Sequence, residues 1–484
     1  MKNLHQKNYT LFSSPGIRLF TMLVSAVFLT SCFDNLGDLV EDKQPAPHSP
    51  SIKFTVDTDR DEDEISGILS IVEPDEEDDI SKYRIYWGEG PYEKTALICE
   101  LTKGSSLNFT FNENSIVPSG ADHFIAYSVS IDGTESQPAA LDIDDVVLRK
   151  VSDISIGVNS LNNSTHMAVY NNKLYFNAGS GTAGGVELWV YDETGEPAEV
   201  CDILPGSGNS LPAYLCHYDG KLYFSADGGV NGTEIWSFDG TNPPVEIEIT
   251  PGTSSSNPSH FKRFKNRLIF QADRNTGQGI ELWALENGTP VQLFNIRTGT
   301  SQDFNPCYFA ELNGILYFQG TNTNGSELWR WDGDDNNNPA EVYDMYINFF
   351  SSFNPTYLCE FDNKIFFSAL TGNGTELWSY DGSADNPSAF SAFDINTTST
   401  GSYPKYLIVY RNKLYFQAAK TNSSDFELWS YDGINAPSEV FNLPLSEKNS
   451  RPEGLTVYND KLYFAAKEPS TSAYIKKLWV YYIK

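Results

Sequence analysis

The sequence predicts an all-β protein in which a small N-terminal β-sandwich precedes a seven-bladed β-propeller. Three observations predict this class. The 484 residues include 36 Gly and 25 Pro, which is typical of a chain with many turns. Aromatic residues make up 14% of the chain, and aromatic side chains favour strands. A tryptophan-containing segment returns seven times at spacings of 46 to 51 residues, and a period of this length is typical of propeller blades.

The first 31 residues have the features of a secretory signal. Lys2, Lys7 and Arg18 supply positive charge before a mostly apolar run, 19–30, which is too short to span a bilayer as a helix. The run ends in Leu29-Thr30-Ser31-Cys32, which resembles the lipobox of bacterial lipoproteins. The resemblance implies lipidation of Cys32, with palmitate among the acyl chains. An ordinary signal peptide with an accidental cysteine is the alternative.

A tether and a small domain are predicted to follow the signal. Residues 32–50 contain Pro45, Pro47, Pro50 and several acids, which favour an extended, lipidated tether. Residues 51–146 are predicted to form a β-sandwich, because turn residues separate seven strand-like segments. These segments are 52–56, 67–72, 83–87, 96–101, 108–111, 124–131 and 139–143. Residues 83–88 and 127–133 resemble a fibronectin type III module, which implies a spacer.

Seven repeats are predicted to build the propeller, 147–484. Residues 214–249 illustrate one repeat, with predicted strands at 214–218, 221–226, 234–238 and 245–249 and a tight turn at Asp219-Gly220. The seventh repeat ends after its third strand. Residues 147–155 match the other fourth strands, so we expect them to supply the missing outer strand and to close the ring from the N-terminal side.

The sequence motif Glu-Leu-Trp-x-x-Asp-Gly recurs in nearly complete form, as at 376–382. It resembles the bacterial ELWxxDGT-repeat family, whose members are secreted or surface proteins of mostly unassigned activity. The resemblance covers about 150–484. It implies a location in the cell envelope and does not imply an activity. Departures from the motif include the third repeat, which continues with Ala284 after its Trp, and the last repeat, which has Lys477 in place of Glu.

Six ring-bearing residues occupy one position of the repeat, eight residues before the first residue of a Leu-Tyr-Phe motif or its variant in the second strand, such as Leu222. In a propeller this position begins the innermost strand and borders the central opening. The rings are therefore candidates for a ligand-binding rim that stacks on sugars or peptides. Alternatively, they fill the gaps between blades beneath the prolines that precede them. The candidates are His166, Tyr214, His260, Tyr308, Tyr357 and Tyr406, and the seventh repeat has Gly454 there.

The Glu of the motif forms a second set of equivalent positions. Equivalent carboxylates do not suit the two distinct roles of acid–base catalysis. We expect each to accept backbone N–H groups and to tie the corner between the second and third strands. We expect the motif tryptophans to pack between blades. The carboxylates are Glu187, Glu234, Glu281, Glu327, Glu376 and Glu427.

Charge and motifs exclude several classes of function. A net charge of −31 argues against nucleic acid, which needs clustered Lys and Arg. The sequence lacks a G-x-S-x-G elbow, a phosphate loop and H-E-x-x-H. An EF-hand spacing from Asp57 fails, because Glu62 and Ile68 stand where Gly and Glu are required. We therefore expect no catalytic residue, no metal site and no cofactor.

The sequence thus predicts a lipid-anchored binding or scaffold protein of the bacterial cell envelope, on the outer membrane or cell surface, that is not an enzyme. Its propeller would meet a protein or glycan partner, and its membrane contact would be the lipid. Two alternatives stay open. One is a polysaccharide-acting enzyme with carboxylates in the channel, and the other is a purely structural envelope component.

Overall fold

The computed structural model describes residues 48–54, 64–74, 79–143, 146–156, 166–179, 185–275, 277, 279–296, 303–345, 352–371, 374–383, 385–396, 401–420, 425–441, 449–467 and 476–483. The predicted signal, Cys32 and most of the tether lie outside them. The described residues form 35 strands and one short 3₁₀ turn, Pro387–Ala389. The chain is therefore all-β, as the sequence predicts.

Two antiparallel sheets precede the repeats. Their strands are β1 Ser51–Phe54, β2 Glu64–Val72, β3 Ile80–Glu89, β4 Glu93–Thr102, β5 Asn108–Ile116, β6 His123–Ser130 and β7 Ala139–Asp142. One sheet has the order β1-β2-β5 and the other the order β4-β3-β6-β7. The Trp87 ring of β3 lies 5.5 Å from the Phe111 ring of β5, so aromatic packing joins the two sheets. Each of the seven predicted segments contains a strand.

The next strand is β8, Val146–Ile156, and the repeats follow it. Their strands are β9 Met167–Tyr170, β10 Lys173–Gly179, β11 Val186–Tyr191 and β12 Ala198–Cys201; β13 Ala213–Tyr218, β14 Lys221–Asp227, β15 Thr233–Phe238 and β16 Val245–Ile247; β17 Ser259–Phe264, β18 Arg267–Asp273, β19 Ile280–Glu286 and β20 Thr289–Gln292; β21 Cys307–Leu312, β22 Ile315–Thr321, β23 Ser326–Trp331 and β24 Ala340–Tyr343; β25 Thr356–Phe361, β26 Lys364–Thr371, β27 Gly374–Tyr380 and β28 Phe390–Phe393; β29 Lys405–Tyr410, β30 Lys413–Ala419, β31 Phe426–Tyr431 and β32 Ser438–Phe441; and β33 Glu453–Tyr458, β34 Lys461–Lys467 and β35 Lys476–Ile483.

Repeats two to six each form a separate antiparallel sheet of four strands. Tight turns join the first two strands of every repeat, because Asn, Asp and Gly tolerate the positive φ that such hairpins require. In the second repeat, Asp219 and Gly220 have φ of 45° and 70°. The predicted hairpins are thus confirmed at this corner.

The first and last repeats share one sheet of eight strands, because β8 joins them. Residues 146–150 of β8 pair antiparallel with β35, as the sequence predicts for the missing outer strand. At the C-terminal end of β8, Ser155 and Ile156 pair with Gly179 and Ala178 of the first repeat. The sequence did not predict this pairing. Each sheet is open among the described residues.

The first strands of the repeats contact one another in chain order, β9-β13-β17-β21-β25-β29-β33, and β33 also contacts β9. Tyrosines at the ends of these strands link neighbouring repeats. The Tyr170 hydroxyl donates to the Gly220 carbonyl at 2.8 Å, and the Tyr458 hydroxyl of the last repeat donates to the Asn172 carbonyl of the first at 2.9 Å. The contacts between first strands therefore run in a complete cycle.

The recurrent motif has structural roles in the repeats. The Asp239 carboxylate accepts the backbone N–H groups of Thr241 and Asn242, both at 2.8 Å, and so shapes the corner before the fourth strand. Gly240 has φ of 87°, and a Cβ there would lie 2.9 Å from Asn171 of the preceding repeat. Trp283 packs with residues of the second repeat, so the prediction that motif tryptophans pack between repeats is confirmed there.

Candidate ligand-binding site

Five of the six predicted rim residues lie in β-bulges near the start of the first strands, and the sixth, His166, directly precedes β9. In β13 the pairing with β14 is interrupted between Ala213 and Cys216, which leaves Tyr214 and Leu215 outside the ladder. The same interruption recurs in β17, β21, β25, β29 and β33. A bulge of this kind re-aims a side chain. It therefore sets the direction of the ring in the second to sixth repeats.

These rings share an unusual backbone conformation. Tyr214, His260, Tyr308, Tyr357 and Tyr406 have φ between 54° and 58°, in the left-handed region that residues with a Cβ rarely adopt. Non-glycine residues held in this region are strained, and such residues concentrate at functional sites. Gly454 has φ of 65°, so the seventh repeat keeps the same bulge without a ring.

The six rings stack on one another in chain order. The distances between consecutive ring centroids are 4.4 Å for His166–Tyr214, 4.7 Å for Tyr214–His260, 4.5 Å for His260–Tyr308, 4.9 Å for Tyr308–Tyr357 and 5.1 Å for Tyr357–Tyr406. The planes are tilted by 43° to 64°, which favours contacts between ring edges and ring faces. We call these six side chains the aromatic circle.

The aromatic circle lines a cavity of about 240 Å³ at the inner strands. Each of the six rings is half-buried, because the rings are packed among protein atoms while part of their surface faces the cavity. The residue after each ring lines the cavity too: Met167, Leu215, Phe261, Phe309, Leu358 and Leu407. Sequence reasoning missed these six, although a large apolar residue follows every ring in the sequence.

Burial keeps both histidines of the aromatic circle uncharged at neutral pH. It lowers the pKa of His166 to about 4 and that of His260 to about 3. Burial also raises the pKa of the Tyr357 hydroxyl to about 12, and this hydroxyl is hydrogen-bonded to those of Tyr308 and Tyr406. These rings therefore present neutral hydrogen-bonding groups and ring surfaces to the cavity.

One charged residue, Lys262, lines the cavity among the described residues. Sequence reasoning missed it because it is a single lysine in an ordinary strand, β17, and its position became visible only with the inner strands assembled. No carboxylate contributes to the described wall. The wall thus carries positive charge inside a protein whose net charge is −31.

Both interpretations of the six rings describe part of the arrangement. Each ring contacts the ring of the neighbouring repeat, as the gap-filling interpretation requires. The same rings also border an open cavity, as the rim interpretation requires. The structure brings all six candidates to one place, and their use in binding stays a prediction.

The motif carboxylates do not line this cavity. All six are buried, and they bind backbone N–H groups as expected. The prediction that they tie the corner between the second and third strands is wrong, however. Glu376 accepts from Ser402 N at 2.9 Å and Ile395 N at 3.2 Å, which belong to the loop between the fourth strand and the next repeat. The carboxylate therefore anchors the loop that delivers the next ring, and not the corner between the second and third strands.

Four of the six motif carboxylates accept a serine hydroxyl from the loop that follows their repeat, and the third and fourth repeats have Phe304 and Phe353 in place of that serine. Ser210, Ser256, Ser402 and Ser450 donate their hydroxyls to the motif Glu of their repeats. In the fourth repeat, Phe353 at this position meets the Trp378 ring edge to face, with 5.0 Å between the ring centroids. The buried Oε2 of Glu327 has no hydrogen-bond partner among the described residues, and burial raises the pKa of Glu327 to about 8.

The raised pKa of Glu327 predicts a pH-dependent stability. The unfolded chain loses this proton near pH 4.5, whereas the folded chain keeps it until about pH 8. Its stabilising contribution is therefore complete below pH 4.5 and is lost as the pH rises through about 8. In that window the free energy of unfolding falls by about 1.4 kcal/mol per pH unit from this group.

Glu327→Gln should remove this part of the decline, because the amide does not titrate. The measurement is urea unfolding at intervals between pH 4.5 and 9, with the exposed Glu311→Gln as control. Equal slopes for Glu327→Gln and the unmodified protein would contradict the assignment.

No group of three His, Cys, Asp or Glu side chains that could hold a metal ion occurs among the described residues. Glu62, from the rejected EF-hand spacing, lies outside them. No helix within the described ranges is long and apolar enough to cross a bilayer.

Comparison with known proteins gives structural likenesses alone. No family model matches the sequence, and no curated protein matches it significantly. Among solved structures, the β-propeller domain of the Trilobed protease from Pyrococcus furiosus is similar at 12% identity and a TM-score of 0.38, over 66% of this chain and 91% of that one. A structure from a study of two prolyl endopeptidases is similar at 9% identity and a TM-score of 0.43, over 66% of this chain and 50% of that one.

A puromycin-hydrolysing peptidase of Mycobacterium tuberculosis is also similar, at 10% identity and a TM-score of 0.40, over 71% of this chain and 54% of that one. The matched part thus spans about half the length of these whole peptidases. The prediction that this chain is not an enzyme is contradicted by this comparison, because the similar structures are those of peptidases. At these identities the likeness concerns the fold and transfers no catalytic residue.

Proposed function

We propose that this chain is a lipid-anchored protein of the bacterial cell envelope whose β-propeller binds a glycan in the cavity lined by the aromatic circle. The observation that carries the proposal is the uninterrupted stacking of six rings around one cavity. Ring faces suit the apolar faces of sugars, and the tyrosine hydroxyls suit their hydroxyl groups. A protein partner was equally open from the sequence, but a cavity of about 240 Å³ favours the end of a glycan chain.

The architecture we propose has seven blades. The complete cycle of contacts between first strands supports it, and so does the pairing of β8 with β35, which gives the last repeat its fourth strand. The orders β1-β2-β5 and β4-β3-β6-β7 support a fibronectin type III-like spacer before the propeller. Lipidated Cys32 and the tether would hold the spacer near the membrane.

The proposal is tested with the full chain in detergent on a panel of immobilised glycans. We expect binding to at least one glycan, and we expect Tyr357→Leu to weaken it by about three- to tenfold, because an aromatic stacking contact is lost. Tyr92→Leu is the matched control, since Tyr92 is 77% exposed on the sandwich. Labelling with palmitate, compared between the chain and Cys32→Ser, tests the anchor in the same preparation.

Thermal unfolding of both tyrosine variants shows whether either change disturbs the fold. Unchanged affinity of Tyr357→Leu would contradict binding at the aromatic circle. If the chain captured a protein partner and bound no glycan, the proposed ligand would be that protein and not a glycan.

A further inference from the structure

A second and larger cavity adjoins the one at the aromatic circle. Its volume is about 840 Å³, within the ~300–1,000 Å³ that is usual for ligand pockets. Lys262, Leu358 and Leu407 line both cavities, so the two meet at these residues. The wall of the larger cavity extends to Asp362 and Asn412, which lie in the tight turns after β25 and β29. We call it the turn-side cavity.

The turn-side cavity runs from the middle of the first strands towards their C-terminal ends. Its inner wall contains Lys262, Ala310 and Cys359, each two residues after a ring of the aromatic circle. Glu311 and Glu360 continue the wall one position further along β21 and β25. Both glutamates are exposed, whereas Lys262 is half-buried. Lys262 therefore lies at the inner end of the cavity, and the glutamates lie closer to solvent.

Opposite charges line the turn-side cavity without neutralising one another. The Lys262 ammonium forms no hydrogen bond or ion pair with the described residues, so neither Glu311 nor Glu360 is paired with it. Glu360 accepts the backbone N–H of Asn363 at 3.1 Å, which leaves its other oxygen available. Asp362 adds a third carboxylate at the turn. The cavity thus offers one cation at its inner end and three carboxylates nearer to solvent.

Two other polar side chains of the wall add no available charge. Burial raises the pKa of the Cys359 thiol to about 12, although the nearby Lys262 ammonium opposes this shift, so the thiol is neutral at physiological pH. The Asp432 carboxylate accepts the backbone N–H groups of Ile434 and Asn435, at 2.9 and 2.7 Å, and is held within its own turn. Lys262 is therefore the one cation of the described wall.

Apolar side chains complete the wall of the turn-side cavity. They are Leu358, Phe361, Leu407, Val409 and Ile434. Ile434 is 88% exposed, so a ligand that covered it would remove apolar surface from water. Such a ligand would reach from Lys262, in the middle of a first strand, to the turn that carries Ile434. A chain of a few residues suits this span better than a single small molecule.

We propose that the turn-side cavity binds the C-terminus of a peptide that ends in lysine or arginine. The terminal carboxylate pairs with Lys262, the basic side chain with Glu311 or Glu360, and the preceding residues cover Ile434. Charge complementarity carries the proposal, because one residue of the peptide presents both signs of charge that the wall leaves unpaired. The inference goes beyond the proposed function, since it concerns another cavity and another class of ligand, and it does not depend on glycan binding.

The test is calorimetric titration of the full chain in detergent with the peptide acetyl-Gly-Ala-Lys. Its C-terminal amide should bind about tenfold more weakly, because the charge-assisted hydrogen bond to Lys262 is lost. Acetyl-Gly-Ala-Leu should bind about two- to fivefold more weakly, because ion pairs with exposed carboxylates contribute little. Equal affinities of the free acid and the amide would overturn the proposal, and so would free lysine that binds as tightly as the peptide.

Two variants test the two ends of the cavity. Lys262→Met should lower the affinity for the free acid about tenfold, to that for the amide. Glu311→Gln combined with Glu360→Gln should remove the preference for lysine over leucine. Glu199→Gln, on an exposed residue of β12 outside the cavity wall, is the matched control and should bind like the unmodified protein. A preference for the free acid that survived Lys262→Met, in a protein with unchanged thermal unfolding, would refute the assignment.

Discussion

Replacing Glu376 by Ala should lower the free energy of unfolding by about 3–5 kcal/mol. The carboxylate is buried, and it accepts the backbone N–H groups of Ile395 and Ser402 together with the Ser402 hydroxyl. Alanine leaves these donors buried without an acceptor, and each unsatisfied donor costs about 1–3 kcal/mol. Water entering the space left by the side chain keeps the total below the sum.

The measurement is urea unfolding of Glu376→Ala beside two companions. Ser402→Ala removes one donor and its bond together, so it should cost about 1 kcal/mol. The exposed Glu360→Ala, in the same repeat, should change stability by less than about 0.5 kcal/mol. A loss for Glu376→Ala no greater than that for Ser402→Ala would show that the carboxylate does not hold the loop.

Leu148→Gln should cost about 4 kcal/mol, because β8 fastens the last repeat. Leu148 is 7% exposed and packs among Tyr410, Tyr415 and Tyr481 of the sixth and seventh repeats. Burying a leucine is worth about 1.5–3 kcal/mol, and burying an unpaired amide costs about 1–3 kcal/mol. The pairing of β8 with β35 then loses its anchor.

Arg149→Gln is the internal control, since it places the same residue one position along the same strand on an exposed side chain. Its unfolding should match that of the unmodified protein to within about 0.5 kcal/mol. Equal losses at 148 and 149 would mean that packing of β8 does not stabilise the last repeat. In limited proteolysis, the Leu148→Gln protein should be cleaved first in the seventh repeat.

Short-range chemistry made much of the fold predictable. Strand and turn residues alternate over a few positions, so the second repeat could be divided correctly at Asp219-Gly220 before its structure was known. The missing fourth strand of the last repeat could be paired with residues near 150, because an unpaired sheet edge requires a partner of matching pattern. The place of the six rings followed from their common distance to the second strand.

The sequence by itself determined the repeat, its hairpins and the set of residues that meet at the inner strands, because these depend on contacts within about 50 residues. The tertiary structure alone decided the rest. It stacked the rings of neighbouring repeats on one another, brought Lys262 into the cavity wall and assigned Glu376 to the loop that leads to the next repeat. These relations join residues from different repeats, and local pattern carries no information on which loop or ring will lie across a sheet boundary.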